Sequence, residues 1–132
     1  MLDQQVQIEV DRGGTRVSFR KGVSANEVAG IVRGFKGEPD VTLTISREGS
    51  DQSLLTAISG DKAFVGLDDG TNGVFQFIAR DTQTGGTQQL IIGRQKTEID
   101  SRYVLCVETA ASVAHEWLTR GRQSSLGLWE RK

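Results

Sequence analysis

Polar and apolar positions alternate with a period of two through much of the first eighty residues. In residues 5–10, Val6, Ile8 and Val10 fall on one face and the polar side chains on the other. Such alternation is typical of a β-strand with one face in the core and one in solvent. Similar segments follow at residues 16–20, 41–45, 54–58, 63–67 and 74–78. The pattern predicts a sheet of several strands.

Short polar turns join the later strands. Between residues 41 and 80 every link is too short for a crossover helix, so consecutive strands should be antiparallel neighbours in a meander. Residues 63–80 form the best-defined hairpin, and the apolar residues on both faces of 74–78 predict a central strand covered on both sides. The apolar residues 90–92 predict a fifth meander strand, and the polar residues 93–96 a mobile loop.

Two segments have helical periodicity instead. Ser24 and Glu27 match a capping box, which predicts a helix start, and an apolar stripe at helical spacing follows. The second helix should follow an extended segment at 103–107, begin with Thr109 as N-cap, bury Trp117 and end near Gly121. We therefore predict one α+β domain spanning residues 1–132: a mostly antiparallel β-sheet meander with one N-terminal and one C-terminal helix packed on it.

Composition and charge narrow the range of possible binding partners. The chain has 132 residues, 25% of them charged, and a net charge of -1. This balance disfavours direct binding to nucleic acid or to an anionic membrane. The N-terminus lacks a basic segment followed by an apolar one, and no stretch approaches the ~20 apolar residues that a membrane span needs, so we expect a cytoplasmic protein.

Few residues could support catalysis. The single cysteine, Cys106, lies in an apolar run that predicts a buried thiol, and the single histidine, His115, lies beside the apolar stripe of the last helix. A core thiol and a surface imidazole are the favoured interpretation of these residues, and an enzyme that uses them as a Cys–His pair ranks third among the hypotheses for function. One cysteine and one histidine do not make a zinc site. We predict no enzymatic activity, no cofactor and no metal.

The turn of the 63–80 hairpin contains four polar residues that we expect to be exposed, namely Asp68, Asp69, Thr71 and Asn72. A calcium loop beginning at Asp68 would have Gly70 at its third position and Ala79 at its twelfth, neither of which supplies the needed oxygen ligand. Two carboxylates would suit a basic protein surface, including the cationic groove of an enzyme that acts on nucleic acid. The alternative is an ordinary solvated turn. These four residues are the candidate partner-binding site.

The C-terminal third carries a distinctive pattern: Ile99-Asp100, Tyr103-Val104, Ala110, Ala114, Trp117, Gly121 and Leu128-Trp129. It resembles the end of a bacterial immunity-protein family encoded beside polymorphic toxins of the nucleic-acid deaminase type. In that family the last helix ends in an aromatic residue, followed by a glycine and then a leucine or similar residue shortly before tryptophan. Such proteins often have a proline after the glycine, where this chain has residues 122–125 without one.

The resemblance implies an immunity protein that binds a cognate deaminase-type toxin in the cytoplasm and blocks its active site, without catalysis of its own. It also implies an α+β fold. The motif residues Trp117, Gly121, Leu128 and Trp129 would be structural. Trp117, Gly121 and Trp129 would dock the helix and the tail, although Trp129 could instead lie at an interface. The alternative function is a small-ligand-binding α+β domain with its pocket between a helix and the sheet.

Overall fold

The computed structural model describes residues 5–80 and 85–132. Residues 1–4, part of the segment used for the targeting prediction, lie outside that range. Within it the fold is α+β, mostly antiparallel sheet with two α-helices. The strands are β1 (Val6–Arg12), β2 (Thr15–Val23), β3 (Val41–Arg47), β4 (Gln52–Ser59), β5 (Lys62–Asp69), β6 (Val74–Ala79), β7 (Thr87–Ile92), β8 (Gln95–Asp100), β9 (Leu105–Cys106) and β10 (Gly127–Arg131). The helices are α1 (Ala25–Gly34) and α2 (Val107–Arg120).

The main sheet has the order β10-β6-β5-β4-β3-β1-β2, with β9 pairing beside the start of β5. Each neighbouring pair is antiparallel, and β3 to β6 form the predicted meander. The two edges are β10 and β2.

The core lies on one face of this sheet, which we call the inner face, under both helices. Paired residues of an antiparallel sheet share a face, so the register defines it: Ile8 is opposite Ile45, Ile45 opposite Leu54, and Leu54 opposite Leu67. All four side chains are at most 1% exposed. The helices add Val28, Val32, Ala110, Ala114 and Trp117 to the same cluster.

Helix α1 begins as predicted. The Ser24 hydroxyl accepts a hydrogen bond from the Glu27 backbone N–H at 3.1 Å, and the Glu27 carboxylate accepts one from the Ser24 N–H at 3.2 Å. Both halves of the capping box are therefore present.

Helix α2 begins earlier than predicted. Its N-cap is Cys106, whose sulfur accepts a hydrogen bond from the Thr109 N–H at 3.4 Å, so the prediction of Thr109 as N-cap is wrong. The extended segment predicted at 103–107 shrinks to the two residues of β9. The cap position also places the Cys106 side chain at the surface, so the predicted burial of this thiol is wrong.

The predicted fifth meander strand is also wrong. Residues 90–92 belong to β7, which pairs with β8 in a separate two-stranded sheet. The predicted loop at 93–96 is instead a tight turn and the start of β8, with positive φ at Gly93 (57°) and Arg94 (71°). The Asp40 carboxylate holds this turn by accepting hydrogen bonds from the N–H groups of Gly93 and Arg94, at 3.0 and 2.6 Å.

The tail docks as a strand beside β6. Trp129 is half-buried and meets Phe77 edge to face, with ring centroids 5.0 Å apart. Trp117 is buried at 3% exposure, and Gly121 ends α2 with a φ of 67°. Leu128 differs: strand alternation turns it away from the core, and it is 71% exposed. The prediction that Leu128 is a structural residue is therefore wrong.

Within the described ranges, no helix is both long enough and apolar enough to cross a bilayer.

Candidate partner-binding surface

The hairpin turn presents three of its four predicted site residues to solvent. Residues Gly70–Asn72 form one turn of 3-10 helix, and Thr71 and Asn72 within it are exposed. Asp68 is exposed as well, and its Oδ1 accepts a hydrogen bond from the Gly70 N–H at 3.1 Å. The turn is thus a formed structure that holds Asp68, Thr71 and Asn72 at the surface.

Asp69 lies elsewhere. Alternation along β5 turns it to the inner face, where it is 5% exposed. Its Oδ2 is 2.9 Å from Nε of Arg122, and its Oδ1 accepts a hydrogen bond from the Gln52 side-chain amide. The prediction of two exposed carboxylates is therefore wrong for Asp69, whose charge is already paired inside the protein.

Arg122 links this carboxylate to the segment after α2. Its guanidinium stacks over the Phe75 ring, 4.4 Å from the centroid, while pairing with Asp69. In the sequence, residue 122 marks only a departure from the family pattern. Its role has no local signal, because ion pairing across more than fifty residues is set by the fold.

An apolar patch adjoins the acidic turn on the outer face, the side of the main sheet opposite the helices. We define the outer-face patch as Leu55, Phe64 and Val74. Leu55 and Val74 are 37% and 44% exposed, and Phe64 is half-buried. Together with Asp68 and Lys132 they line a groove of about 310 Å³. A carboxylate therefore stands directly beside an exposed apolar surface.

Strand register explains why these residues meet. Val74 is opposite Asp68, and Leu55 is opposite Gly66, so all four share the outer face. Gly66 leaves room for its neighbour, because a Cβ at this position would lie 3.3 Å from the Phe64 ring. Leu128 lies on the same face, on edge strand β10 opposite Ile78, and extends the apolar surface.

The outer-face patch also corrects the prediction for residues 74–78. That strand was expected to be covered on both sides, yet Val74 is exposed and only Phe75, Phe77 and Ala79 are buried. Apolar residues on both faces were a valid signal of an apolar surface. They did not show that the second surface is left open at Val74, whereas Gln76 and Ile78 on the same face are half-buried.

Beyond Leu128, strand β10 anchors a polar cluster. The Tyr103 hydroxyl donates a hydrogen bond to the Glu130 carboxylate, and the Arg102 guanidinium lies 3.5 Å from the same carboxylate. The hydrogen bond to Glu130, together with burial, raises the pKa of Tyr103. This cluster ties the edge strand to residues 101–103 and keeps β10 in place under the exposed Leu128.

Cys106 and His115 do not form a pair. Cys106 caps α2 and His115 lies nine residues later, about 13 Å along a helix at 1.5 Å per residue. The hydroxyl of Thr109, 3.1 Å away, lowers the pKa of the Cys106 thiol. In residues 5–80 and 85–132, no group of three or more potential metal ligands occurs.

Comparison with known proteins adds no relative: no protein-family model matches the chain, and no curated protein matches it significantly.

Proposed function

We propose that this protein is an immunity protein that binds a cognate nucleic-acid deaminase toxin and blocks its active site, acting in the cytoplasm without catalysis of its own. The resemblance of the C-terminal pattern supports the family assignment. The observation that supports the binding role is the outer-face patch beside Asp68, because exposed apolar surface rimmed by polar groups is characteristic of protein interaction sites.

The outer-face patch and the neighbouring Leu128 supply the affinity in this proposal. Fully burying an exposed Leu or Val side chain contributes roughly 1.5–3 kcal/mol. Leu128 has the most surface left to bury of the exposed large apolar residues, at 71%. It is therefore the side chain most suited to insert into a pocket of the toxin, and a few such anchors usually carry most of the binding free energy.

In this proposal the acidic turn orients the toxin on the protein and increases the association rate. An enzyme that acts on nucleic acid carries a basic groove for the phosphate backbone. Asp68 would face that groove, and its charge would steer the two proteins together. Thr71 and Asn72, exposed on the same turn, offer hydrogen-bonding groups at its rim.

The proposal predicts a toxin gene with a deaminase domain beside this gene, and the decisive experiment is co-expression with that domain. We expect rescue of growth, a stable complex, and stoichiometric inhibition of deamination in vitro. Absence of both complex and rescue would refute the proposal.

Two variants then test the surface. Leu128→Asp should raise the dissociation rate, and Asp68→Lys should slow association in a salt-dependent manner. The matched controls are Thr119→Asp, on the exposed side of α2, and Asp61→Lys, at the opposite end of β5. If the toxin binds both variants and both controls alike, the interface lies elsewhere.

The alternative function, small-ligand binding between a helix and the sheet, stays a prediction. At that position the structure has a groove of about 330 Å³ between α1 and the β1–β2 hairpin. The groove lies at the edge of the sheet, and its shape suits an extended peptide segment better than an enclosed small molecule.

A further inference from the structure

Strand β2 is a long, uncovered edge. It spans nine residues and pairs only with β1, and every residue from Thr15 to Gly22 is exposed. An edge strand presents a row of backbone N–H and C=O groups that no neighbouring strand satisfies. The described part of the chain contains no other strand with eight consecutive exposed residues.

An apolar groove runs beside this edge on the inner face. Ile8 and Val10, at 1% and 3% exposure, lie at its floor, and Ile31 and Phe35 of the α1 segment form its wall. Its other side is β2 itself, through Ser18 and Arg20. These two residues pair with Val10 and Ile8 across the hairpin, so their side chains share the inner face.

The exposed surface of β2 is basic. It carries Arg16, Arg20 and Lys21, and no carboxylate. Arg20 lies 3.3 Å from Glu27, but both side chains are about half exposed, at 54% and 51%. A surface ion pair of this kind is weak, so a carboxylate of a partner can replace Glu27. Arg16 and Lys21 form no ion pair with any described residue.

We propose that the β2 edge binds an extended acidic segment of a partner protein by strand addition. The segment's backbone pairs with β2, apolar side chains on its inner face enter the groove beside α1, and carboxylates on both of its faces meet Arg16, Arg20 and Lys21. An edge strand, an adjoining apolar groove and complementary charge are the requirements of this recognition mode. The inference does not depend on the proposed toxin partner, because the outer-face patch lies on the opposite side of the sheet.

The charge pattern argues against a second copy of this chain as the occupant. Two β2 strands side by side would bring their cations together, and like charges on neighbouring strands are unfavourable. The shape argues against a small molecule, since such ligands are mostly enclosed, whereas this groove follows an edge strand.

The probe is a phage-displayed library of random decapeptides, selected on the immobilised full chain. We expect enriched peptides that combine apolar residues with carboxylates on both faces of the bound strand, because Arg20 and Lys21 are consecutive and lie on opposite faces of β2. One enriched peptide, made synthetically, should bind in calorimetry, and Arg20→Glu should weaken it at least about tenfold, the effect of one lost charge-assisted contact. Arg120→Glu, the same change at an exposed end of α2, should leave the affinity unchanged.

Hydrogen exchange separates strand addition from side-chain binding alone. On peptide binding, alternate amides within residues 16–21 should become protected, because their N–H groups gain partners. If urea unfolding shows that Arg20→Glu is not folded, Lys21→Glu replaces it. The inference is overturned if no peptide is enriched, if binding ignores the β2 charges, or if the β2 amides stay unprotected. Self-association of the charge variants without peptide binding would also overturn the inference, since the cations would then serve only to prevent association of two β2 edges.

Discussion

Adjacent residues Asp68 and Asp69 allow one chemical change to be compared in two environments. Asn has nearly the shape of Asp but no charge, so Asp68→Asn and Asp69→Asn differ only in what surrounds the carboxylate. Asp68 is exposed and accepts a hydrogen bond from the Gly70 backbone N–H, and the side-chain oxygen of Asn can accept the same bond. Asp69 is 5% exposed and pairs with Arg122 at 2.9 Å.

The expected costs follow from these contacts. A hydrogen bond to a charged group contributes about 1.5–3 kcal/mol to stability. The Arg122 side chain is 45% exposed, so solvent screening reduces this value, and we expect Asp69→Asn to cost about 1–2 kcal/mol. Asp68→Asn should change stability by less than about 0.5 kcal/mol, as surface substitutions usually do.

Urea unfolding of the full chain measures both values. A double-mutant cycle with Arg122→Ala isolates the ion pair from the stacking of Arg122 on Phe75, and its coupling free energy should be about 1 kcal/mol. Equal stability of the two Asn variants, or a coupling free energy near zero, would refute the inward placement of Asp69. The charge of Asp69 would then be available to a partner after all.

Three further changes test other contacts. Gly127→Ala would force a Cβ against the Ile78 carbonyl oxygen and should cost at least about 1–3 kcal/mol in urea unfolding, whereas Gly30→Ala, at an open site in α1, should gain about 0.5–1 kcal/mol. Absorbance titration of Tyr103, the single tyrosine, should give a pKa above 10.0, and Glu130→Gln should lower it. Because the pKa of Tyr103 is raised in the folded state, the stability that the protonated tyrosine contributes is complete below its unfolded-state pKa and is lost as pH rises through its folded-state pKa. A titration midpoint at or below 10.0 would contradict the hydrogen bond to Glu130. Asp40→Ala should speed amide exchange at the Gly93–Arg94 turn severalfold, and unchanged exchange would show that the turn does not need the carboxylate.

The sequence by itself determined the local elements and, through them, the fold class. A period of two does not depend on distant residues, and it identified the strands from β1 to β6. The capping box at Ser24 and Glu27 is a contact between residues three apart, so it was visible directly. Short links then required antiparallel neighbours, which led to the α+β meander.

Only the tertiary structure decided which faces are open and which charges are free. Alternation requires Asp68 and Asp69 to point in opposite directions, but the partner of Asp69 is 53 residues away, and the order of residues does not reveal that distance in space. Likewise, Val74 and Leu128 look like core residues in a sequence, because an apolar side chain carries no sign of whether another element covers it. Both helices pack on the inner face, and the outer-face patch remains exposed as a result.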